Sequence, residues 1–126
     1  MSKYGVVAIK AVEMSNDGFL PDEAWLHAAK EVFGDSVSSI KKGCPKSAFL
    51  GLAEEGAIKG VPAGNYTKSK DNKSYALTAL ELLKNHPGLT NSKKELWQSS
   101  CHSEHKVHNG QMDVVIALWE HSLLNT

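Results

Sequence analysis

Residues 43–67 read GCPKSAFLGLAEEGAIKGVPAGNYT, in which a helix start, a helix stop and a glycine-rich turn follow one another closely. Pro45 suits the first turn of a helix, where its missing N–H is not needed, and the glycine of Glu54-Glu55-Gly56 is typical of a helix end. The apolar residues of the stretch fall at helical spacing: Ala48, Phe49 and Leu52. The stretch therefore predicts a helix over 45–55 followed by an irregular segment over 57–73.

Helical spacing of apolar residues continues on both sides of this stretch. Ser2 and Pro21 are good starts for two helices before it, and a helix of about two turns follows Gly34. After the irregular segment, helices are predicted over 74–84, from the capping-box signature at Ser92, and from Asn109. The sequence predicts seven helices in all, one of them short.

The composition is that of an ordinary folded protein. The chain has 126 residues, of which 41% are hydrophobic and 22% charged. These values predict one compact domain over 1–126, and the helix predictions make it a mainly α, multi-helix domain, with a small β-hairpin as an option at 57–78. No long apolar run marks a membrane span or a leader, so we expect a cytoplasmic protein that does not enter a membrane.

The charged residues are balanced in number but uneven in kind and position. All 14 basic residues are lysine, against 14 acidic residues. Because arginine is the usual bidentate reader of guanine edges, its absence disfavours a sequence-specific DNA-binding protein. Residues 41–73 carry seven lysines against three acids, which favours a small anionic ligand or an unknown protein as the partner.

The helix start near Pro45 is the first candidate for a binding site. Backbone N–H groups at a helix start attract anions, and a lysine and a hydroxyl lie beside them. The glycine-rich segment supplies further amide, hydroxyl and ammonium groups. The predicted ligand-binding residues are Cys44, Lys46, Ser47, Gly64, Asn65, Tyr66 and Lys73.

Cys44 also supports a different hypothesis, a thiol-dependent enzyme. A helix start and neighbouring lysines favour a thiolate, which is the reactive form of cysteine. No pattern places a histidine base beside it, so we favour a small buried hydrophobe and a protein that is not an enzyme. Neither a phosphate-binding loop nor a dinucleotide fingerprint occurs, and no cofactor is expected.

Cys101, His105 and His108 form a third cluster, and they would share one helix face if the sixth helix continued through them. Cysteine and histidine are the usual ligands of zinc. However, the pairs Ser99-Ser100 and Asn109-Gly110 indicate that the helix ends, and the spacing matches no standard zinc module. We therefore expect a polar connector and no metal.

Several short motifs together resemble a small bacterial family of unknown function. The central motif is G-C-P-K-x-A-F-L-G-L over 43–52, and similar runs are Glu55-Gly56, Gly60-Val61-Pro62, Tyr66-Thr67, Asn72-Lys73, Tyr75-Ala76 and residues 111–115. The resemblance covers most of the chain. It implies a bacterial, single-domain protein and, because the family has no established activity, it assigns no catalytic role to any residue.

The 45–78 region also resembles the recognition helix and wing of a winged helix-turn-helix protein. Lys59, Lys68, Lys70 and Lys73 would then lie on the wing. A nucleic-acid-binding protein is therefore the main alternative to a non-catalytic accessory or binding protein. The tryptophans and the apolar helix faces also leave a homodimer open.

Overall fold

The first two helices form as their start signals predict. In the computed structural model, which describes residues 2–103 and 106–126, α1 covers Lys3–Asn16 and α2 covers Pro21–Phe33. The Ser2 hydroxyl accepts a hydrogen bond from the Gly5 N–H at 3.1 Å. Pro21 occupies the first turn of α2. The two helices pack on each other, and α1 also packs on the last helix of the chain.

The next two helices are a short surface helix and the central helix of the fold. Helix α3 covers Val37–Lys41 and has no buried residue, whereas α4 covers Gly43–Glu54 and is continuously buried from Ala48 to Glu54. The observed start at Gly43 lies two residues before the predicted one. Because neighbours cover α4 on all sides in its second half, it organises the packing of α2, α5 and α7 around it.

The second half of the chain contains three α-helices and one 3₁₀ helix. Helix α5 covers Lys70–Asn85 and leads into the 3₁₀ helix Pro87–Asn91. Helix α6 covers Lys93–Cys101, and α7 covers Gln111–Glu120. All seven predicted helices are thus present in the described ranges, and the mainly helical fold is confirmed.

The optional β-hairpin at 57–78 does not form. Lys70 already begins α5, because the Tyr75, Ala76, Ala79 and Leu80 pattern has helical and not alternating spacing. Within residues 2–103 and 106–126 the only β pairing is a single antiparallel bridge between Ile58 and Leu124. Residues 55–69 therefore form an irregular loop, which we call the 55–69 loop.

One hydrophobic core joins the helices. Its largest fully buried side chains come from every α-helix except α3, and one of them, Ile58, belongs to the loop after α4. They include Trp25, Phe49, Leu52, Ile58, Leu83, Leu96, Met112 and Leu118. In the described part of the chain, no helix is both long enough and apolar enough to cross a bilayer.

Helices α4 and α5 approach closely at Gly51. A Cβ atom at this position would lie 2.7 Å from the backbone Cα of Lys73, closer than real Cβ contacts come. Glycine is therefore required there because the backbone of α5 occupies the space of a side chain. The close contact brings the Lys73 side chain to the carboxyl end of α4.

Candidate functional site

The Glu54 carboxylate organises the polar region at the end of α4. One oxygen accepts hydrogen bonds from the N–H groups of Tyr66 at 2.8 Å and Thr67 at 3.2 Å. The other accepts one from the Lys73 ammonium at 2.6 Å. The residue is only 8% exposed. A buried carboxylate with three donors is well compensated, so it can hold the 55–69 loop against α4 and α5.

Lys73 is shared between two carboxylates. Its ammonium lies 2.6 Å from an oxygen of Glu54 and 2.6 Å from an oxygen of the half-exposed Glu55. The hydrogen bond from Lys73, followed by those from the backbone of Tyr66 and Thr67, lowers the pKa of Glu54 from 4.5 to about 2. The hydrogen bonds of the Lys73 ammonium to Glu54 and then to Glu55 raise the pKa of Lys73. Both groups are therefore charged at neutral pH.

The 55–69 loop is further fastened by its own residues. The Gly64 N–H donates to the backbone carbonyl of Glu54 at 3.2 Å, and the Tyr66 hydroxyl donates to the Pro62 carbonyl at 2.7 Å. The Tyr66 ring lies over Gly64, where a Cβ would come within 2.8 Å of it. The loop therefore has a defined shape, although it contains no regular element.

A second set of hydrogen bonds connects the loop to α7. The Ser69 N–H donates to the Thr67 hydroxyl at 3.1 Å, and the Asn72 amide donates to the Ser69 hydroxyl at 2.9 Å. The amide nitrogen of Gln111 donates to the Asn72 amide oxygen at 2.9 Å. Gln111 is 2% exposed, and its own amide oxygen accepts from the Asn109 N–H. The loop is thus held from two sides, by α4 and by α7.

A surface groove of about 480 Å³ lies along this loop. Its lining comes from the end of the loop and the first residue of α5: Asn65, Tyr66, Thr67, Lys68 and Lys70. Its volume is within the range of small-molecule sites. Neither Lys68 nor Lys70 forms an ion pair with a carboxylate of the described residues. The groove therefore presents two uncompensated ammonium groups beside an amide and a hydroxyl.

The predicted ligand residues divide into two groups. One group lies at the carboxyl end of α4 and consists of Gly64, Asn65, Tyr66 and Lys73. Within it, Asn65 and Tyr66 line the groove, whereas the Lys73 ammonium forms ion pairs with Glu54 and Glu55. Cys44, Lys46 and Ser47 belong to the first turns of α4 and are partly buried. Lys46 and Glu54 are eight residues apart, about 12 Å along a helix axis. The structure does not place the two groups in one site.

Helix α6 ends at Cys101, as predicted, and two of the side chains considered for a metal, those of Cys101 and His108, form hydrogen bonds within the protein. The Cys101 thiol is buried and donates to the Ser103 carbonyl at 3.4 Å. The ring nitrogen Nε2 of His108 accepts the Met112 N–H at 3.0 Å and so caps α7. Burial lowers the pKa of His108 and favours this neutral form. His105 lies outside the described residues, among which no metal-binding group of three or more is found.

The winged-helix alternative finds no support in this fold. The wing would need the β-hairpin that residues 57–78 do not form. The would-be recognition helix, α4, is buried from Ala48 to Glu54. This half of the helix is therefore not available to the major groove of DNA.

Several residues that shape or line the groove were not among the predicted site residues, among them Glu54, Thr67, Lys68, Lys70 and Gln111. The two lysines were recognisable as part of the basic 41–73 segment, although not as neighbours of one groove. Glu54 carried a signal as well, since an acid in the last turn of a helix opposes the helix dipole and requires a compensating partner. Gln111 gave no signal, because its partner Asn72 is 39 residues away in sequence.

The chain was also compared with known proteins. No curated protein and no solved structure matches it. A family model described as a family of unknown function, DUF6979, matches residues 1–125. Since the match spans nearly the entire sequence, the chain belongs to the family DUF6979.

Proposed function

We propose that this protein is a non-catalytic binding protein that holds a small anionic ligand in the groove of Asn65, Tyr66, Thr67, Lys68 and Lys70. The proposal also assigns it to the cytoplasm of a bacterium and takes the 43–52 motif as a mark of its family, as the resemblance of the sequence implies. It keeps Asn65 and Tyr66 from the sequence prediction and replaces Lys46 and Lys73 by the two lysines of the groove.

The observation that carries the proposal is the pair of uncompensated lysines at a preformed groove. Lys68 and Lys70 stand two residues apart, on either side of Ser69, where the loop turns into α5. The backbone beneath them is fixed by Glu54 and, through Asn72, by Gln111. Because this backbone is already held, less of the loop has to be ordered on binding, which favours affinity for phosphate or carboxylate groups.

The negative charges near the groove do not oppose an anion strongly. The Glu54 carboxylate is buried and matched by Lys73, which also contacts Glu55. Asp71 is one residue beyond Lys70 and lies near a further lysine, Lys106, whose pKa is raised chiefly by its interaction with the Tyr75 hydroxyl and to a smaller extent by the charge of Asp71. The groove itself contributes two positive charges and no carboxylate.

The chemistry of the lining favours binding over catalysis. Amide, hydroxyl and ammonium groups can hold an anion in place. A hydrolytic or acyl-transfer site would need an activated nucleophile with a base in hydrogen-bond reach, and the groove lining contains neither histidine nor carboxylate. Its single tyrosine hydroxyl is already hydrogen-bonded to Pro62.

Titration with inorganic pyrophosphate, followed by amide NMR shifts, tests the proposal. We expect shifts confined to residues 65–71 and an affinity that falls as salt is added, because the contacts are charge-assisted. The double variant Lys68→Ala/Lys70→Ala should bind about tenfold more weakly or worse, since one hydrogen bond to a charged group contributes about 1.5–3 kcal/mol. Its melting temperature should be unchanged.

Lys46→Ala provides the matched control, because Lys46 belongs to the same basic segment but lies at the other end of α4. It should bind pyrophosphate as the original chain does. The proposal fails if pyrophosphate causes no shifts at millimolar concentration, or if Lys46→Ala weakens binding and the double variant does not. The second result would return the site to the start of α4.

A further inference from the structure

Three large apolar side chains are exposed just before α2 and in its first half. Phe19 is 42% exposed, Leu20 58% and Leu26 39%. The Phe19 ring meets the ring of His27 edge to face, with centroids 5.2 Å apart, so it lies along the exposed side of α2. Leu26 directly precedes His27 in α2 and is exposed as His27 is. Exposed apolar groups gathered in this way are typical of an interaction surface.

The part of the chain that carries these side chains is rich in carboxylates. Residues 11–29 contain four acids and no lysine, although the whole chain has as many lysines as acids. The four are all exposed, and none of them forms an ion pair within the described residues: Glu13, Asp17, Asp22 and Glu23. Asp22 and Glu23 precede Leu26 by four and three residues, which places them beside it on the helix surface.

The helix dipole explains only part of this arrangement. Asp22 and Glu23 occupy the first turn of α2, where a negative charge stabilises the helix. That effect accounts for neither Asp17, which precedes the helix, nor the three exposed apolar side chains. Lys30 is the first basic residue beyond the patch and lies in the last turn of α2. The surface around Phe19 and Leu26 is therefore both apolar and negative.

We propose that this surface, the α2 patch of Phe19, Leu20, Asp22, Glu23 and Leu26, docks a basic amphipathic helix of another protein. The apolar face of such a helix would cover Phe19, Leu20 and Leu26, and its flanking lysines or arginines would meet the carboxylates. This inference is independent of the anion groove, which lies on the loop before α5.

A second copy of this chain fits the α2 patch less well. In a two-fold dimer each patch would face the same patch of its partner, because the interface is isologous. Asp17, Asp22 and Glu23 of both copies would then approach one another, and like charges across an interface are unfavourable. Charge complementarity therefore selects a basic partner.

A synthetic 18-residue helix of lysine and leucine, with its leucines on one face, is the probe for the test. We expect it to shift the amide NMR signals of residues 17–27 and to bind more weakly as salt rises. A peptide of the same composition with its leucines distributed around the helix should bind at least about tenfold more weakly, because it cannot present one apolar face.

The double variant Leu20→Ser/Leu26→Gln removes apolar surface without endangering the fold. Leu20 is the N-cap residue of α2, where serine is favoured, and glutamine is a good helix former at the exposed position 26. We expect a loss of affinity for the amphipathic probe of about tenfold or more. Val37→Ser is the matched control, since Val37 is an exposed apolar residue of α3, 59% exposed. It should leave the affinity unchanged.

Three results would overturn the inference. The first is equal binding of both peptides. The second is an affinity that Leu20→Ser/Leu26→Gln leaves unaltered or that Val37→Ser lowers as much. The third is concentration-dependent dimerisation of the protein alone that the double variant abolishes, which would make a second copy the occupant.

Discussion

The two ends of α4 differ in how they are built, although both drew attention in the sequence. At the amino end, Gly43 and Cys44 begin the helix without any side-chain cap, and no atom lies within 4 Å of a Cβ built on Gly43. At the carboxyl end, Gly51 touches the backbone of α5 and Glu54 binds Lys73 and two backbone N–H groups. The amino end is open at Gly43, although Pro45 two residues later is buried, and the carboxyl end is engaged by the 55–69 loop and α5.

The difference shows that the end of α4 with the more distinctive sequence pattern is not the end whose contacts shape the groove. The Gly-Cys-Pro sequence is distinctive because it is a local helix-start pattern, which is readable from neighbouring residues alone. The carboxyl end depends on partners up to 19 residues away, such as Lys73. The contacts that shape the proposed groove are therefore the less visible ones in the sequence.

Among the variants that compare the two ends of α4, Gly51→Ala is expected to lower the free energy of unfolding most. A methyl group at position 51 would overlap the backbone of α5 at Lys73, so α4 and α5 must separate. Overpacking of this kind costs about 1–3 kcal/mol of the free energy of unfolding, which urea denaturation measures. Gly43→Ala, at the open end, should be neutral or slightly stabilising because alanine is the better helix former. Equal stability of both variants would contradict the close contact.

Lys73→Met and Lys46→Met compare two lysines of the same basic segment at the two ends. Methionine retains much of the apolar stem and removes the ammonium. Lys73→Met should lower the melting temperature, because it leaves the buried Glu54 without its charged partner. Lys46→Met should shift the melting temperature little, as is usual for surface substitutions. Lys73→Met with an unchanged melting temperature would show that the ion pair contributes nothing to stability.

Lowering the pH should weaken the contacts at the carboxyl end of α4, with a smaller effect on stability than the substitutions above. The pKa of Glu54 is about 2 in the folded chain against an ordinary value of 4.5. A lowered pKa contributes stability that is fully present above about pH 4.5 and is lost as the pH falls towards 2. Denaturation between pH 6 and 3 should show this loss in the original chain and a smaller one in Glu54→Gln. Glu55→Gln, at the half-exposed partner of Lys73, should retain the dependence.

Much of the fold was accessible from the sequence, because helix periodicity and caps are local. Ser2, Pro21 and the 48–52 apolar spacing each predicted a helix that the structure contains. The hairpin prediction was wrong because glycines and a proline over 60–64 indicate a turn but do not specify the element after it. Lys70 begins a helix four residues earlier than its apolar pattern suggests.

The candidate site was accessible only in part. Asn65 and Tyr66 were identified by their loop composition, and the structure places both in the groove. Lys73 was interpreted as a free binding group, since a sequence does not show that two carboxylates converge on it. The link from Gln111 through Asn72 to the loop joins residues from different helices, and no local pattern encodes it.

The hydrogen bonds that join residues 56–59 to residues 123–125 have a practical consequence for engineering. The Lys59 N–H donates to the Leu123 carbonyl at 2.8 Å, and the Asn125 N–H donates to the Ala57 carbonyl at 2.7 Å. The Asn125 amide also donates to the Gly56 carbonyl at 2.8 Å. Trimming residues 123–126, or fusing an affinity tag or reporter directly to them, would disturb the segment after α4. Purification handles are better attached ahead of Ser2, with a spacer that leaves its cap intact.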